Sequence, residues 1–247
     1  MSNNATLFDF IKIKEIADRR PKTKCGRCNK TELQFSGICE GCKLAIEAEG
    51  KERRYQDRLE NMGAHLKLIG VGKRYIGCTL DDFEDGGKYV KACKDFLSNP
   101  HHGLFFSGGY GSGKTHLAVG ICRELLKIKR VPTVVFTTGA ELLLNIRKTY
   151  SDPKLSEPGV IAVYCEPDYL VIDDLGAEKP TEWAKATLHI ILERRDSEMM
   201  PTIVTSNLTL KQISETLGGR VGSRLANSRV ISVSMPDRRR KRIAGLS

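Results

Sequence analysis

No apolar run in the 247-residue chain approaches the ~20 residues that carry a helix across a bilayer. A helical membrane span is thereby excluded, and no membrane partner is expected. The opening, "MSNNATLFDF", lacks a basic stretch followed by an apolar one, so a secretory signal is not expected either. The expected compartment is the cytoplasm, where thiols stay reduced and disulfides are disfavoured. Internal repeats and low-complexity tracts are missing, which argues against a solenoid or a compositionally biased tail. Acid is in short supply: 30 Asp and Glu stand against 40 Lys and Arg, a formal charge of +10. That imbalance excludes nothing about fold, but it favours contact with nucleic acid without saying which. The alternative is a charge that serves solubility or acidic protein partners.

What is present divides the chain in two. Residues 6–19 have the spacing of a short amphipathic helix, with Leu7, Phe10, Ile11 and Ile13 on its apolar side. A cysteine-rich patch follows at 25–42. Residues 43–69 predict a highly charged helix weakened at Gly50. Residues 69–87 have the glycines and short apolar pieces of a linker. The expected domains are therefore a small module over 1–72 and a larger domain over 73–247. In the latter, apolar strands at 103–107, 133–138, 169–174, 201–207 and 229–235 alternate with helices after residue 114, over 140–149 and over 182–196. Strands alternating with helices predict an α/β fold, a mostly parallel sheet covered on both faces.

"GGYGSGKT" at 108–115 fits G-x-x-x-x-G-K-[ST] between a predicted strand and a predicted helix, the context that a phosphate-binding loop requires. Gly108, Gly109, Tyr110, Gly111, Ser112 and Gly113 form the loop, whose glycines let backbone N–H groups turn toward phosphate oxygens. The following helix N-terminus adds positive potential. Lys114 is expected on the β- and γ-phosphates and the Thr115 hydroxyl on Mg²⁺. "YLVIDDLG" then brings a strand to two acids. Asp173 is the candidate for Mg²⁺, directly or through water, and Asp174 for orienting or deprotonating the attacking water. Asp174 could instead be a helix cap or surface acid. Asn207, after "TIVTS", could reach the γ-phosphate or the water, or serve a simple turn. The implied ligands are a nucleotide and Mg²⁺.

"CGRC" and "CEGC" set Cys25, Cys28, Cys39 and Cys42 in a C-x₂-C…C-x₂-C pattern. Four thiolates fill a tetrahedral Zn²⁺ site with no open position, so the expected role is structural; an iron–sulfur centre is the alternative. Cys78, Cys93, Cys122 and Cys165 show no ligand spacing and are expected as small buried apolar groups. His101 and His102 are expected in a solvated loop. Near the end of the chain, Arg220 and Arg224 in "GGRVGSRLANS" share a helix face without an acidic partner nearby in sequence. They are either a solvated basic face or groups serving a site elsewhere.

The succession "FFSGGYGSGKTHLAVGICREL", "YLVIDDLGAEKPTEW", "PTIVTSNL", "GGRVGSRL" and "DRRRKR" resembles the DnaC/DnaI helicase loaders and the related IstB transposition ATPases, which are AAA+ proteins. The resemblance covers about residues 73–247. It implies that the nucleotide is ATP and that Lys114 and Thr115 belong to Walker A, Asp173 and Asp174 to Walker B, and Asn207 to sensor 1. Arg224 matches the arginine finger with Arg220 beside it, and Arg240 matches sensor 2. Two departures from the common AAA+ pattern stand out. The Walker B pair is Asp-Asp, not Asp-Glu. With only a short tail after Arg224, no helical lid is expected, an absence shared by the loaders. The zinc module resembles that of DnaI-type loaders, whose N-terminal domain engages the helicase; zinc ribbons also bind DNA, and the mixed charge of residues 1–72 favours the protein partner.

The resemblance implies an ATP-dependent loader that delivers a replicative DNA helicase onto single-stranded DNA and self-associates through its ATP site. Arg220 and Arg224 would then serve ATP held by a neighbouring subunit, and turnover would be slow and assembly-dependent. An IstB-like ATPase that binds duplex DNA and recruits a transposase is the second reading. A zinc-dependent adaptor with an ATP-gated assembly switch and little hydrolysis is the third.

Overall fold

The computed structural model describes residues 23–30, 32–33, 37–84, 87–100, 103–130, 132–177 and 181–237. The expected helix at 6–19, His101, His102 and the basic run 238–242 with Arg240 lie outside them.

The chain forms two compact units, Met1–Asp57 and Arg58–Ser247. In the first, strands β1 (Thr23–Lys24) and β2 (Glu32–Leu33) pair antiparallel, and helix α1 (Glu40–Glu60) follows the second cysteine pair. Gly50 sits inside α1 without breaking it. The expected single helix over 43–69 is two helices, because α2 (Met62–Leu68) starts afresh after Asn61. Met62, Leu66 and Val71 are buried in the core of the second unit. The division between these compact units falls earlier than residue 72, where the glycines of 69–87 had suggested the entry to a new domain.

The second unit is built on five parallel strands: β3 (Leu104–Ser107), β4 (Val134–Thr138), β5 (Tyr169–Asp173), β6 (Thr202–Ser206) and β7 (Arg229–Ser232). Their order is β4-β5-β6-β3-β7. The strands alternate faces with period two. Leu104, Phe106, Val171 and Ile203 enter one core, with α2, α3 (Lys88–Ser98) and α4 (Lys114–Leu126). Phe105, Leu170, Ile172 and Val204 enter the other. That second core packs α5 (Gly139–Arg147), α6 (Glu157–Cys165), α7 (Glu182–Ser197), α8 (Leu210–Thr216) and α9 (Gly219–Ala226). Both faces are covered, as expected for a parallel sheet.

Residues 69–84 are not a linker but part of the second unit. Phe136 N–H donates to Ile69 O at 2.7 Å, so this segment pairs along the edge of β4. Leu80 and Phe83 are buried in the first core. The reason is close approach: Gly70 has φ +110°, and a Cβ there would lie 2.0 Å from Phe136 O. Helix starts follow local chemistry. Thr138 and Thr209 each form a capping box, with Glu141 and Gln212, and Ser156 and Thr181 cap α6 and α7. Helices α3, α6 and α8 are not among those expected from the sequence.

Candidate functional site

Three parallel strands deliver the site at their carboxyl ends, where ligands bind in open α/β sheets. The loop 108–113 leaves β3 and runs into α4. Gly111 (φ +71°) and Gly113 (φ +97°) hold backbone conformations that side chains resist. A Cβ on Gly111 would meet Asp237 Oδ1 at 1.8 Å, and one on Gly113 would meet the Phe83 ring at 2.5 Å. Ser112 is fully buried and Tyr110 is exposed. The Lys114 ammonium donates to Gly108 O and Gly109 O, both at 2.8 Å, and to Asn207 Oδ1 at 2.9 Å. It is thus gathered over the loop among oxygen acceptors, where phosphate oxygens would take their place.

The Thr115 hydroxyl donates to Asp173 at 2.9 Å (Oδ1) and 3.1 Å (Oδ2), which puts the two expected Mg²⁺ ligands in contact. Asp173 ends β5 and is buried. Desolvation raises its carboxyl pKa; hydrogen bonds from Thr205 and Thr115 work against that rise. Asp174 is exposed with φ +53°, a left-handed conformation that Asp tolerates better than most residues. It caps no helix, since α7 is capped by Thr181. Its Oδ1 accepts from Asn207 Nδ2 at 2.7 Å. Asn207 therefore ties Lys114 to Asp174 and belongs to the site, not to an isolated turn. Loop glycines, a lysine, a hydroxyl and a buried carboxylate fit a Mg²⁺-nucleotide, in which the metal would neutralise phosphate charge.

One residue of this cluster escaped the sequence reading. The Thr205 hydroxyl donates to Asp173 Oδ1 at 2.6 Å and accepts from Asp174 N–H at 2.9 Å. It is almost fully buried and braces both acids. Its place two residues before Asn207, on the strand beside β5, was the available signal.

Arg220 and Arg224 are not brought to this cluster. Arg224 Nε donates to Glu193 Oε2, and its Nη1 donates to Asp196 Oδ2 at 3.3 Å. The missing acidic partners come from α7, distant in sequence. Asp196, Asn227, Gly103 and Met200 line one cleft of about 220 Å³. Gly103 precedes β3 and Met200 precedes β6, so this cleft lies at the amino ends of the strands, opposite the phosphate loop. The four residues of β3 alone span about 13 Å at ~3.3 Å per residue. Arg220 is exposed.

A second group missed by motif is aromatic. Trp183, the chain's one tryptophan, has the Arg147 guanidinium 5.0 Å from its ring centroid and the Tyr150 ring at 6.3 Å. Tyr150 is 64% exposed.

In the first unit, the sulfur atoms of Cys25, Cys28, Cys39 and Cys42 all lie within 4.8 Å of one another. Cys28 Sγ and Cys39 Sγ are 3.9 Å apart. Zn–S bonds of ~2.3 Å at tetrahedral angles put sulfurs ~3.8 Å apart, so the set fits zinc. Backbone N–H groups of Cys39, Cys28 and Arg27 lower the Cys25 thiol pKa to about 5. The Cys39 side chain, then burial, raises that of Cys42 to about 12. Of the remaining cysteines, Cys93, Cys122 and Cys165 are buried and Cys78 is half-buried.

The model of the IstB-like ATP binding protein family matches residues 90–229. The replicative helicase loader DnaC of Escherichia coli K12 is 33% identical over 189 residues, covering 73% of this chain and 75% of DnaC. The uncharacterized protein YdaV of the same strain is 29% identical over 195 residues, covering 76% and 75%. A crystal structure of DnaI superimposes with a TM-score of 0.57 at 25% identity, covering 68% of this chain and 94% of that one. With the phosphate loop, the paired acids and the five-stranded parallel sheet in place, the chain belongs to the IstB/DnaC family of AAA+ ATP-binding proteins.

Proposed function

We propose that this protein is an ATP-dependent loader that delivers a replicative DNA helicase onto single-stranded DNA. The observation that carries the reading is that Arg224 is bonded to Asp196, which lines the cleft at the amino ends of the strands, and not to any group of its own phosphate-loop cluster. A family member with a complete nucleotide cluster at one end of the sheet and its finger at the other needs a second subunit to hydrolyse ATP. In that arrangement Lys114 and the loop hold the triphosphate, Thr115 and Asp173 hold Mg²⁺, and Asp174 with Asn207 orients water. Arg224 of the neighbour, with Arg220 beside it, offsets charge on the transferring group. Arg240 is assigned to the nucleotide by its place in "DRRRKR". Turnover is slow and tied to assembly in the cytoplasm.

Single-stranded DNA suits the exposed Tyr150 and Arg147 beside the half-buried Trp183, since bases stack on aromatic and guanidinium planes. The four-cysteine module holds zinc structurally and presents the first unit to the helicase. The match to the IstB-like model favours a second reading, in which the same ATPase recruits a transposase on duplex DNA.

Two measurements decide. The protein purified with the helicase of its own replicon should form a stable complex; capture of a transposase in place of the helicase would transfer the assignment. Lys114→Ala should lose ATP affinity, and Arg224→Ala should bind ATP without hydrolysing it. Mixed under assembling conditions, the two inactive variants should regain turnover, because interfaces pairing an intact pocket with an intact finger form. Fingers are worth about 10³–10⁵ in rate, so a minority of repaired interfaces is visible. A mixture as inactive as its parts, with assembly confirmed, refutes the trans role.

A further inference from the structure

Arg224 is not idle in its own chain. It lies between two carboxylates one helical turn apart on α7: Glu193 on Nε and Asp196 on Nη1, the latter at 3.3 Å. The three side chains are partly exposed, at 35% for Arg224, 42% for Glu193 and 33% for Asp196. Two carboxylates share one guanidinium, so a triphosphate arriving on a neighbouring subunit would have to take the arginine from both of them. The contact is also not the only anchor of α9. Val221 and Leu225 are buried in the core, and Asn227 Nδ2 donates independently to Asp196 Oδ2 at 3.0 Å. Arg224 can leave without unfolding the helix that carries it.

We propose that Glu193 and Asp196 are positioning residues that park Arg224 and compete with the neighbour's phosphates for it, so that they set the concentration at which assembly switches hydrolysis on. This rests on the reading of Arg224 as a finger acting in trans. Partly exposed ion pairs are weak enough to exchange for a charge-assisted contact to phosphate. Removing both carboxylates should ease the exchange by roughly 2- to 30-fold in concentration.

The test compares wild type, Glu193→Gln, and Glu193→Gln with Asp196→Asn. Turnover per subunit is followed against protein concentration with single-stranded DNA present. The double variant should reach half-maximal rate at roughly 2- to 30-fold lower protein concentration, with unchanged ATP affinity of the isolated subunit. The shift should vanish when Arg224→Ala is added and assembly is followed directly by light scattering. The single Glu193→Gln variant keeps the bond between Asp196 and Asn227, so it guards against a folding defect and should shift in the same direction. A midpoint that stays put or rises in a variant with unchanged thermal melting overturns the proposal. If Arg224→Ala alone leaves assembled turnover intact, the trans reading fails first. If it abolishes turnover and the midpoint does not move, only the parking role fails.

Discussion

Replacing Thr205 with valine tests whether the two acids of the nucleotide site work as a braced pair. Valine keeps the shape of threonine and removes the hydroxyl. Asp173 then loses a donor at 2.6 Å, and Asp174 N–H loses its acceptor at 2.9 Å. Hydrogen bonds to charged groups contribute about 1.5–3 kcal/mol, and a buried donor left unpaired costs about 1–3 kcal/mol. Part of that loss falls on stability. The part that concerns function falls on Asp173, whose carboxyl is already raised by burial and held back by the hydrogen bonds from Thr205 and Thr115. Without Thr205 it moves further up, and its readiness to hold a divalent cation drops. Residues that orient metal ligands typically contribute about 10–100-fold to metal affinity, and that is the expected loss for Mg²⁺. The assay is a Mg²⁺ titration of a fluorescent ATP analogue bound to each variant. Thr205→Ser, which keeps the hydroxyl, should stay near wild type. The sign of the pH effect follows from the raised carboxyl: protonation competes with Mg²⁺ as pH falls. The defect of Thr205→Val should therefore widen toward acid and narrow toward neutral pH. A Mg²⁺ midpoint within twofold of wild type at every pH would refute the bracing argument.

Cys39→Ser should release metal and unfold residues 25–42 locally, because so small a loop has no core of its own; metal analysis and ATP binding, which should survive, check it. Trp183→Ala should weaken single-stranded DNA binding by about 1–3 kcal/mol for a stacked base, with nucleotide affinity unchanged, as read by fluorescence anisotropy. Arg195→Met should destabilise the second unit by about 3–5 kcal/mol in urea unfolding, because six oxygens lose a buried donor: Thr202 Oγ1 and the carbonyls of Tyr164, Cys165, Pro167, Asp168 and Pro201. A loss below about 1 kcal/mol would mean that water replaces those contacts.

The parts of this molecule that were legible in sequence are those whose chemistry is closed within a few residues. The phosphate loop needs its glycines, lysine and threonine at fixed offsets, and the structure places all of them around one point. The cysteine pairs bend two sulfurs toward one centre by spacing alone. The parallel sheet announced itself as short apolar runs, because its strands are buried on both faces. What escaped depends on partners far along the chain. Arg195 looked like one more charge in "ERRDSEMM", yet it falls on the line Leu188, Ile191, Leu192, Arg195, the buried side of α7, and is fully buried. That periodicity was available; the carbonyls of Tyr164, Cys165 and Pro167 that justify burying a cation were not. Burial lowers its pKa to about 10.

Arg220 and Arg224 make the same point more sharply. Four residues apart, they share a helix face and look equivalent. In the fold one is exposed and the other is held by Glu193 and Asp196, because those two side chains of α7 meet Arg224 and not Arg220. Spacing along a helix decides which side chains point the same way. The neighbouring element decides which of them is occupied, and therefore which has a contact to give up when another subunit arrives.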